Sequence, residues 1–298
     1  MLSLILIFIA SLYFSGVIVR IKSFFSGRKG PGILQPVYDY LRLFGKGTVY
    51  SRTTTPIFRL APTVYFSSVL FAAFLVPFGR SKGLLSFDGD FVMFACLLAV
   101  GKFFMILMAL DTGSSFEGMG ASREALFSLL AEPAFFILTG SFALLTGHTS
   151  FYEIYSSFHF SGPASYALAV LAGFVLLLLV SVENSRMPVD DPKTHLELTM
   201  IHEVMILDNS GFDLGLILYA GTLKFAVYGA LIANFFMDHS LPYYLLIPVF
   251  FAIQTLSAIV TGCVESFGVR FRMSHNAQFI FTLTSVGLLI FFGVLLTM

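Results

Sequence analysis

Hydrophobic residues in this chain are grouped in long blocks separated by short polar stretches. A bilayer core is crossed by about 20 consecutive apolar residues in a helix. Eight blocks meet that length, at 2–20, 60–79, 90–110, 125–146, 165–183, 214–236, 243–264 and 277–297. A different pattern follows Pro36. There Val37, Tyr40, Leu41 and Phe44 fall on one helical face, with Asp39, Arg42 and Lys46 off it. That pattern predicts an amphipathic helix at the membrane interface. The glycines and proline at 27–32 predict a tight turn before it, and Pro36 suits a first helical turn.

Composition strengthens this reading. Of 298 residues 57% are hydrophobic and 11% charged, against roughly 25% charged in soluble domains. The mean hydropathy is +0.89. The expected fold class is an all-α integral membrane protein of about eight transmembrane helices plus an interfacial amphipathic helix. It is read as a single membrane domain over 1–298. Zero net charge gives no reason to expect a nucleic-acid partner. Cys96 and Cys263 lie in or beside apolar blocks, which points to neither a disulfide framework nor a CxxC metal site. The first block lacks a basic leader and reads as a span rather than a signal peptide.

Charge in the loops fixes the expected orientation. Arg20, Lys22, Arg28, Lys29, Arg42, Lys46, Arg52, Arg59, Arg123, Arg186, Lys193, Arg270 and Arg272 fall on one side, and only Arg80 and Lys82 on the other. Positive residues stay cytoplasmic, so both termini are expected outside the cytoplasmic membrane. Most acids share the cytoplasmic side: Asp39, Asp111, Glu117, Glu124, Glu183, Asp190, Asp191, Glu197, Glu203, Asp208, Asp213 and Glu265. About half read as solvated loop charges; the rest suggest a polar platform.

The densest charge lies at 183–205, directly after an apolar block, where it must be paired or wet. Pro188 and Pro192 break the helix there. Thr194 is a plausible cap with Glu197 at capping-box spacing, and His195, Thr199 and His202 would share a face beside Glu203. His202-Glu203 lacks the second histidine of a HExxH zinc site, since position 206 is Ile. The competing readings of this stretch are a polar or proton-conducting site and a subunit interface. Lys102, Lys224 and Glu132 lie within apolar blocks, where a central charge costs about 2.5–3.5 kcal/mol. Such groups face a bundle interior and pair, although Lys102 could instead snorkel. Phosphate loop, dinucleotide fingerprint, cysteine cluster and mid-span haem histidines are all missing from the sequence. No redox centre or cofactor is expected in this chain itself.

The ordered motifs resemble a known family. Residues 28–36, Arg-Lys-Gly-Pro-Gly-Ile-Leu-Gln-Pro, are similar to the RxGP…LQP loop of the complex I subunit 1 family. Arg123 and Glu132 match its Arg and Glu nine apart, and Glu183, Arg186, Pro188, Asp190, Glu197 and Leu198 match its ExxRxPxD…EL loop. The chain departs at Lys193 and His195, where two of three loop glutamates are usual, and at 202–211, where the FxxEYSG continuation is replaced. The segments 111–116, 122–125 and 194–203 instead resemble the homologous subunit of group 4 membrane-bound nickel–iron hydrogenases, formate hydrogenlyase subunit 4-like.

The resemblance implies a coupling subunit with hydrogenase large and small subunits and iron–sulfur subunits on its cytoplasmic face. Those partners would carry the nickel–iron centre and the clusters. Antiporter-like membrane subunits would sit beside it in the lipid bilayer of a prokaryotic cytoplasmic membrane. Proton or sodium relay would fall to groups that respond to neighbouring charge, here Glu132, Glu183, Asp190, Glu197, Glu203, Asp213 and Lys224. Docking candidates are Arg28, Pro31, Gln35, Pro36, Asp39, Arg42, Arg123, Arg186, Asp191, His195 and His202. Two other classes remain open at this point: a quinone-reducing complex I subunit lining a quinone cavity, and a stand-alone ion transporter.

Overall fold

The computed structural model describes residues 1–158, 162–190, 201–237, 239, 241–269 and 271–297. Its helices, in chain order, are α1 (Leu2–Phe25), α2 (Gln35–Phe44), α3 (Pro56–Leu75), α4 (Asp90–Asp111), α5 (Ser115–Thr146), α6 (Phe151–Ser157), α7 (Pro163–Glu183), α8 (His202–Met205), α9 (Gly211–Phe236), α10 (Tyr243–Phe267) and α11 (Met273–Thr297). Eight of them, all but α2, α6 and α8, are long and apolar enough to cross a membrane. Among the described residues the only β pairing is an isolated bridge between Phe78 and Ser81. The chain is an all-α, multi-pass membrane protein.

Helix α9 is the mast of the bundle. Its spanning stretch is 83% buried, against 28% for α11 at the edge, and it packs on α1, α2, α3, α7 and α10. Lipid gives helices no hydrophobic reason to associate, so close backbone approach and buried polar contacts must hold them. Both occur on α9. Gln254 of α10 is fully buried and donates to the Ala226 carbonyl at 2.9 Å, in space left by Gly229, where a Cβ would lie 2.2 Å from the glutamine oxygen. Asn234 ties the far end of α9 to the Pro77 carbonyl at 2.9 Å.

Two helix limits differ from those expected. α3 runs Pro56–Leu75 rather than 60–79, because Thr55 caps it by accepting from Ile57 N at 3.3 Å and Pro77 forbids its continuation. α5 begins at Ser115 rather than 125. The apolar window ends where Arg123 and Glu124 begin, but the helix continues because those charges find partners. The interfacial helix α2 forms where expected. It rests on α9 through Tyr40–Tyr219 and Phe44–Phe212 ring contacts, with centroids 5.8 and 5.5 Å apart. Leu41 is 61% exposed, so it does not join the buried face that its spacing suggested.

The termini lie on one face of the bundle. There Asp90, fully buried, accepts from Phe151 N at 2.7 Å and from the Ser150 hydroxyl at 2.9 Å, locking α4 to α6. On the opposite face, α7 ends in a Schellman turn: Arg186 N donates to Ser181 O and Ser185 N to Val182 O. Ser185 takes the left-handed position at φ 47, one that usually falls to glycine. The following segment stays inside the protein, with Val189 and Asp190 each 1% exposed. Irregular backbone next to a membrane is tolerated only when it is buried and satisfied in this way. On the same face Gly211, at φ 54, lets the loop after α2 meet the start of α9; a Cβ there would lie 2.2 Å from Gly47 O.

Candidate functional site: a buried lysine–glutamate network

Four helices bring four charges together, and the turn after α7 adds a hydroxyl. Lys102 on α4 places Nζ 3.2 Å from Glu124 Oε1 of α5 and 3.0 Å from Glu183 Oε2 of α7. Lys224, midway along α9, sits 3.5 Å from the same Glu183 oxygen. It also donates to the Glu183 backbone carbonyl and lies 5.7 Å from the Tyr65 ring centroid. Ser185 donates to Glu124 Oε2 at 3.2 Å, so its strained backbone position serves to aim a hydroxyl at the network. All four ionisable groups are less than one tenth exposed.

The order of these helices follows from the charges. Moving a lone ion out of water costs several kcal/mol, and a pair recovers this only with good geometry and full hydrogen bonding. Lys102 with Lys224 carries two positive charges and Glu124 with Glu183 two negative ones, so the set is neutral as built. Glu132 is the odd acid. It is half-buried one turn from Ser128, whose hydroxyl lies 3.5 Å from Glu132 Oε1. It lines a cavity with Lys102, Glu183, Ser128 and Tyr228. That cavity has ≈ 30 Å³ free for the centres of water-sized molecules, and about 10–15 Å³ holds one water. One or two waters thus fit between Glu132 and the network.

Other candidates lie elsewhere. Asp190 caps the entry to α8, accepting from Ile201 N at 3.1 Å and His202 N at 3.3 Å. Asp213 accepts from the Tyr50 hydroxyl at 2.7 Å, and Glu203 is half-buried on α8. Arg186 joins Glu265 at 2.8 Å, with Lys22 on the other Glu265 oxygen at 2.9 Å, tying α1, α10 and the post-α7 turn together. Arg28, Pro31, Asp39 and Arg42 are exposed on the loop-rich face; Gln35 and Pro36 are half-buried, as are Arg123 and His202. Asp191, His195 and Glu197 lie outside the described residues, as does the helical face predicted from Thr194 through Thr199.

The sequence reading missed Glu124 as a member of this site. Its place beside Arg123, just before the apolar block, made it look like a loop charge. The available signal was spacing: Glu117, Glu124 and Ala131 recur every seven residues on one buried face of α5. Lys102 was singled out for its apolar setting, but its role as the hub depends on two acids distant in sequence. Glu265 and Ser185 left no local mark.

The arrangement defines a class before it defines a family: a membrane subunit whose core holds a charge-balanced set of buried titratable groups beside a small cavity. The chain matches the NADH dehydrogenase family over residues 1–296 and belongs to it. It is 32% identical over 227 residues to Escherichia coli hydrogenase-4 component C, covering 75% of this chain and 70% of that protein. To Escherichia coli formate hydrogenlyase subunit 4 it is 30% identical over 211 residues, covering 70% and 67%. Its fold superposes on a chain of an archaeal membrane-bound sulfane sulfur reductase complex with a TM-score of 0.83, at 20% identity and 98% coverage of both. Among the described residues no three His, Cys, Asp or Glu side chains gather as a metal site.

Charge balance gives the first prediction. Lys102→Met leaves Glu124 without a cation and Glu183 with Lys224 alone, and should cost about 3–5 kcal/mol, read as a lower unfolding temperature in detergent. Adding Glu124→Gln should recover part of the loss; a double variant no better than the single one would rule out charge balance as the organising feature.

The second prediction concerns pH. Burial pushes the His202 imidazole down to about 4; Glu124 opposes this, while Lys224 and Lys102 add to it. The folded chain therefore holds His202 neutral, whereas the unfolded chain takes up a proton near pH 6.5. Stability should fall as the pH drops from about 6.5 towards 4, by at most ~1.4 kcal/mol per pH unit. His202→Gln should flatten that part of the pH–stability curve, and an unchanged slope would assign the acid sensitivity to other groups.

Proposed function

We propose that this chain is the membrane-anchoring and coupling subunit of a membrane-bound hydrogenase-type complex. Its similarity to hydrogenase-4 component C and formate hydrogenlyase subunit 4 supports the kind of complex. The observation that carries the coupling role is the charge count: two lysines and two glutamates balance, and Glu132 stands beside them at a cavity with room for water. With Glu132 protonated the five-residue set is neutral; with Glu132 ionised it carries one excess negative charge. A charge arriving from the loop-rich face would alter that balance, and a proton gained or lost at the Glu132 carboxyl would restore it.

Under this reading the loop-rich face is cytoplasmic. Exposed Arg28, Pro31, Asp39 and Arg42, with the segment that includes Asp191, His195 and Glu197, would receive hydrogenase large and small subunits and iron–sulfur subunits. Redox chemistry would belong to the nickel–iron centre and clusters of those partners. Antiporter-like subunits would pack in the membrane alongside this single membrane domain, and the moved ion would be a proton or sodium. Glu183 and Lys224 would pass charge between Glu132 and the post-α7 turn. Asp190 would hold the turn, and Asp213 and Glu203 would tune it.

Glu132→Gln tests the relay. It keeps the shape and removes the titration. The complex should purify with unchanged subunit stoichiometry, while ion pumping in liposomes falls several-fold. Intact assembly with wild-type pumping would remove Glu132 from the route.

Orientation has its own test. Lys29→Cys and Lys82→Cys, each in a background lacking Cys96 and Cys263, should label from opposite sides of the membrane. Labelling of Lys29→Cys from outside intact cells would invert the topology.

A further inference from the structure

Away from the lysine–glutamate network, the loop-rich face holds another buried carboxylate. Glu117 of α5 is 1% exposed. Its Oε1 accepts from Asp208 N at 3.3 Å, and its Oε2 has no hydrogen-bond partner among the described residues. Glu117 stands three residues after Ser114, the spacing of a capping box. The box is not made: Ser114 N donates instead to the Thr112 hydroxyl at 3.2 Å, and the Glu117 carboxylate is turned inward.

A second orphan oxygen lies close by. Asn209, next to the Asp208 amide that Glu117 holds, is 6% exposed. Its amide nitrogen lies 3.5 Å from Met108 Sδ, and its Oδ1 is buried without a partner. Met108 and Thr112 are four residues apart at the end of α4, so they share a face about 5–6 Å apart. Asn209 is set against the first, and the second, whose hydroxyl donates to Ala109 O and accepts from Ser114 N, leads directly into the first turn of α5 that carries Glu117. These oxygens also lie near the carbonyl end of α4, whose partial negative charge favours a cation.

We infer that these two buried, unpartnered oxygens, with the Thr112 hydroxyl oxygen, bind a single monovalent alkali cation. These are hard oxygen donors, the kind that alkali and alkaline-earth ions take. One buried carboxylate balances one positive charge, which sets the valence. A water could satisfy the asparagine but leaves an ionised carboxylate uncompensated, so the site holds either a cation or a proton on Glu117. A lysine from a partner is excluded by the burial of Glu117. Asp208, exposed at the rim, gives an arriving cation a first point of attraction. The site is separate from Lys102 and Glu183 and does not rest on the coupling role proposed above.

The test uses the full chain purified in detergent with whatever subunits stay bound. Thermal unfolding is followed in sodium chloride and in choline chloride at equal ionic strength. Sodium should raise the midpoint saturably and choline should not, and Glu117→Gln and Asn209→Ala should each abolish the difference. If Glu117→Gln does not purify, Asn209→Ala and Thr112→Val carry the comparison. Equal midpoints in the two salts would overturn the inference and leave a protonated or water-filled pocket. So would a sodium response that survives in Asn209→Ala and Thr112→Val.

Discussion

Burying a charge beside lipid is the constraint on which the rest of this structure depends. Lys102 and Lys224 are 6% and 3% exposed and cannot be fully hydrated, so each meets an acid, and the acids come from other helices. Glu183 serves both lysines, at 3.0 and 3.5 Å, which fixes the end of α7 against the middle of α9. Glu124 serves Lys102, which holds α5 against α4. Much of the order of helices around α9 can be derived from these few pairings.

This arrangement also explains why α7 ends where it does. Glu183 meets Lys224 at the last residue of the helix, and the chain turns directly after it. The segment after it is irregular, and its polar groups are met by protein: Phe271 N on Pro188 O, and Asn276 Nδ2 on Val189 O at 3.0 Å. Asp190 then caps the short helix α8, and Gly120 lets α8 lie against α5, where a Cβ would approach Ile201 O to 2.8 Å. A strained serine, a buried loop and a four-residue helix are thus consequences of one ionic cluster.

The two faces of the bundle are built differently. On the face that carries the termini, Asp90 is satisfied by amide and hydroxyl donors, a closed arrangement suited to holding shape. On the other face Glu183 and Glu265 are each shared between two cations, Glu132 lines a cavity, and Glu117 keeps an oxygen without a partner among the described residues. The exposed basic loop and α2 lie on that face as well.

The sequence by itself determined the architecture. Eight apolar blocks, the Pro36 amphipathic stretch and the distribution of basic loops require only local composition, because lipid demands a long apolar run for every crossing. Motifs such as the Arg28–Pro36 loop pointed to the family for the same reason: they are contiguous. Only the tertiary structure decided which charges form the site. Lys102, Glu124, Glu183 and Lys224 are spread over four helices, and nothing local to Glu124 separates it from a solvated loop acid. Its role arises because α5 continues past the apolar window and Lys102 faces it across the bundle at 3.2 Å. Pairing over such sequence distances depends on three-dimensional packing, which a one-dimensional pattern of residue types does not record.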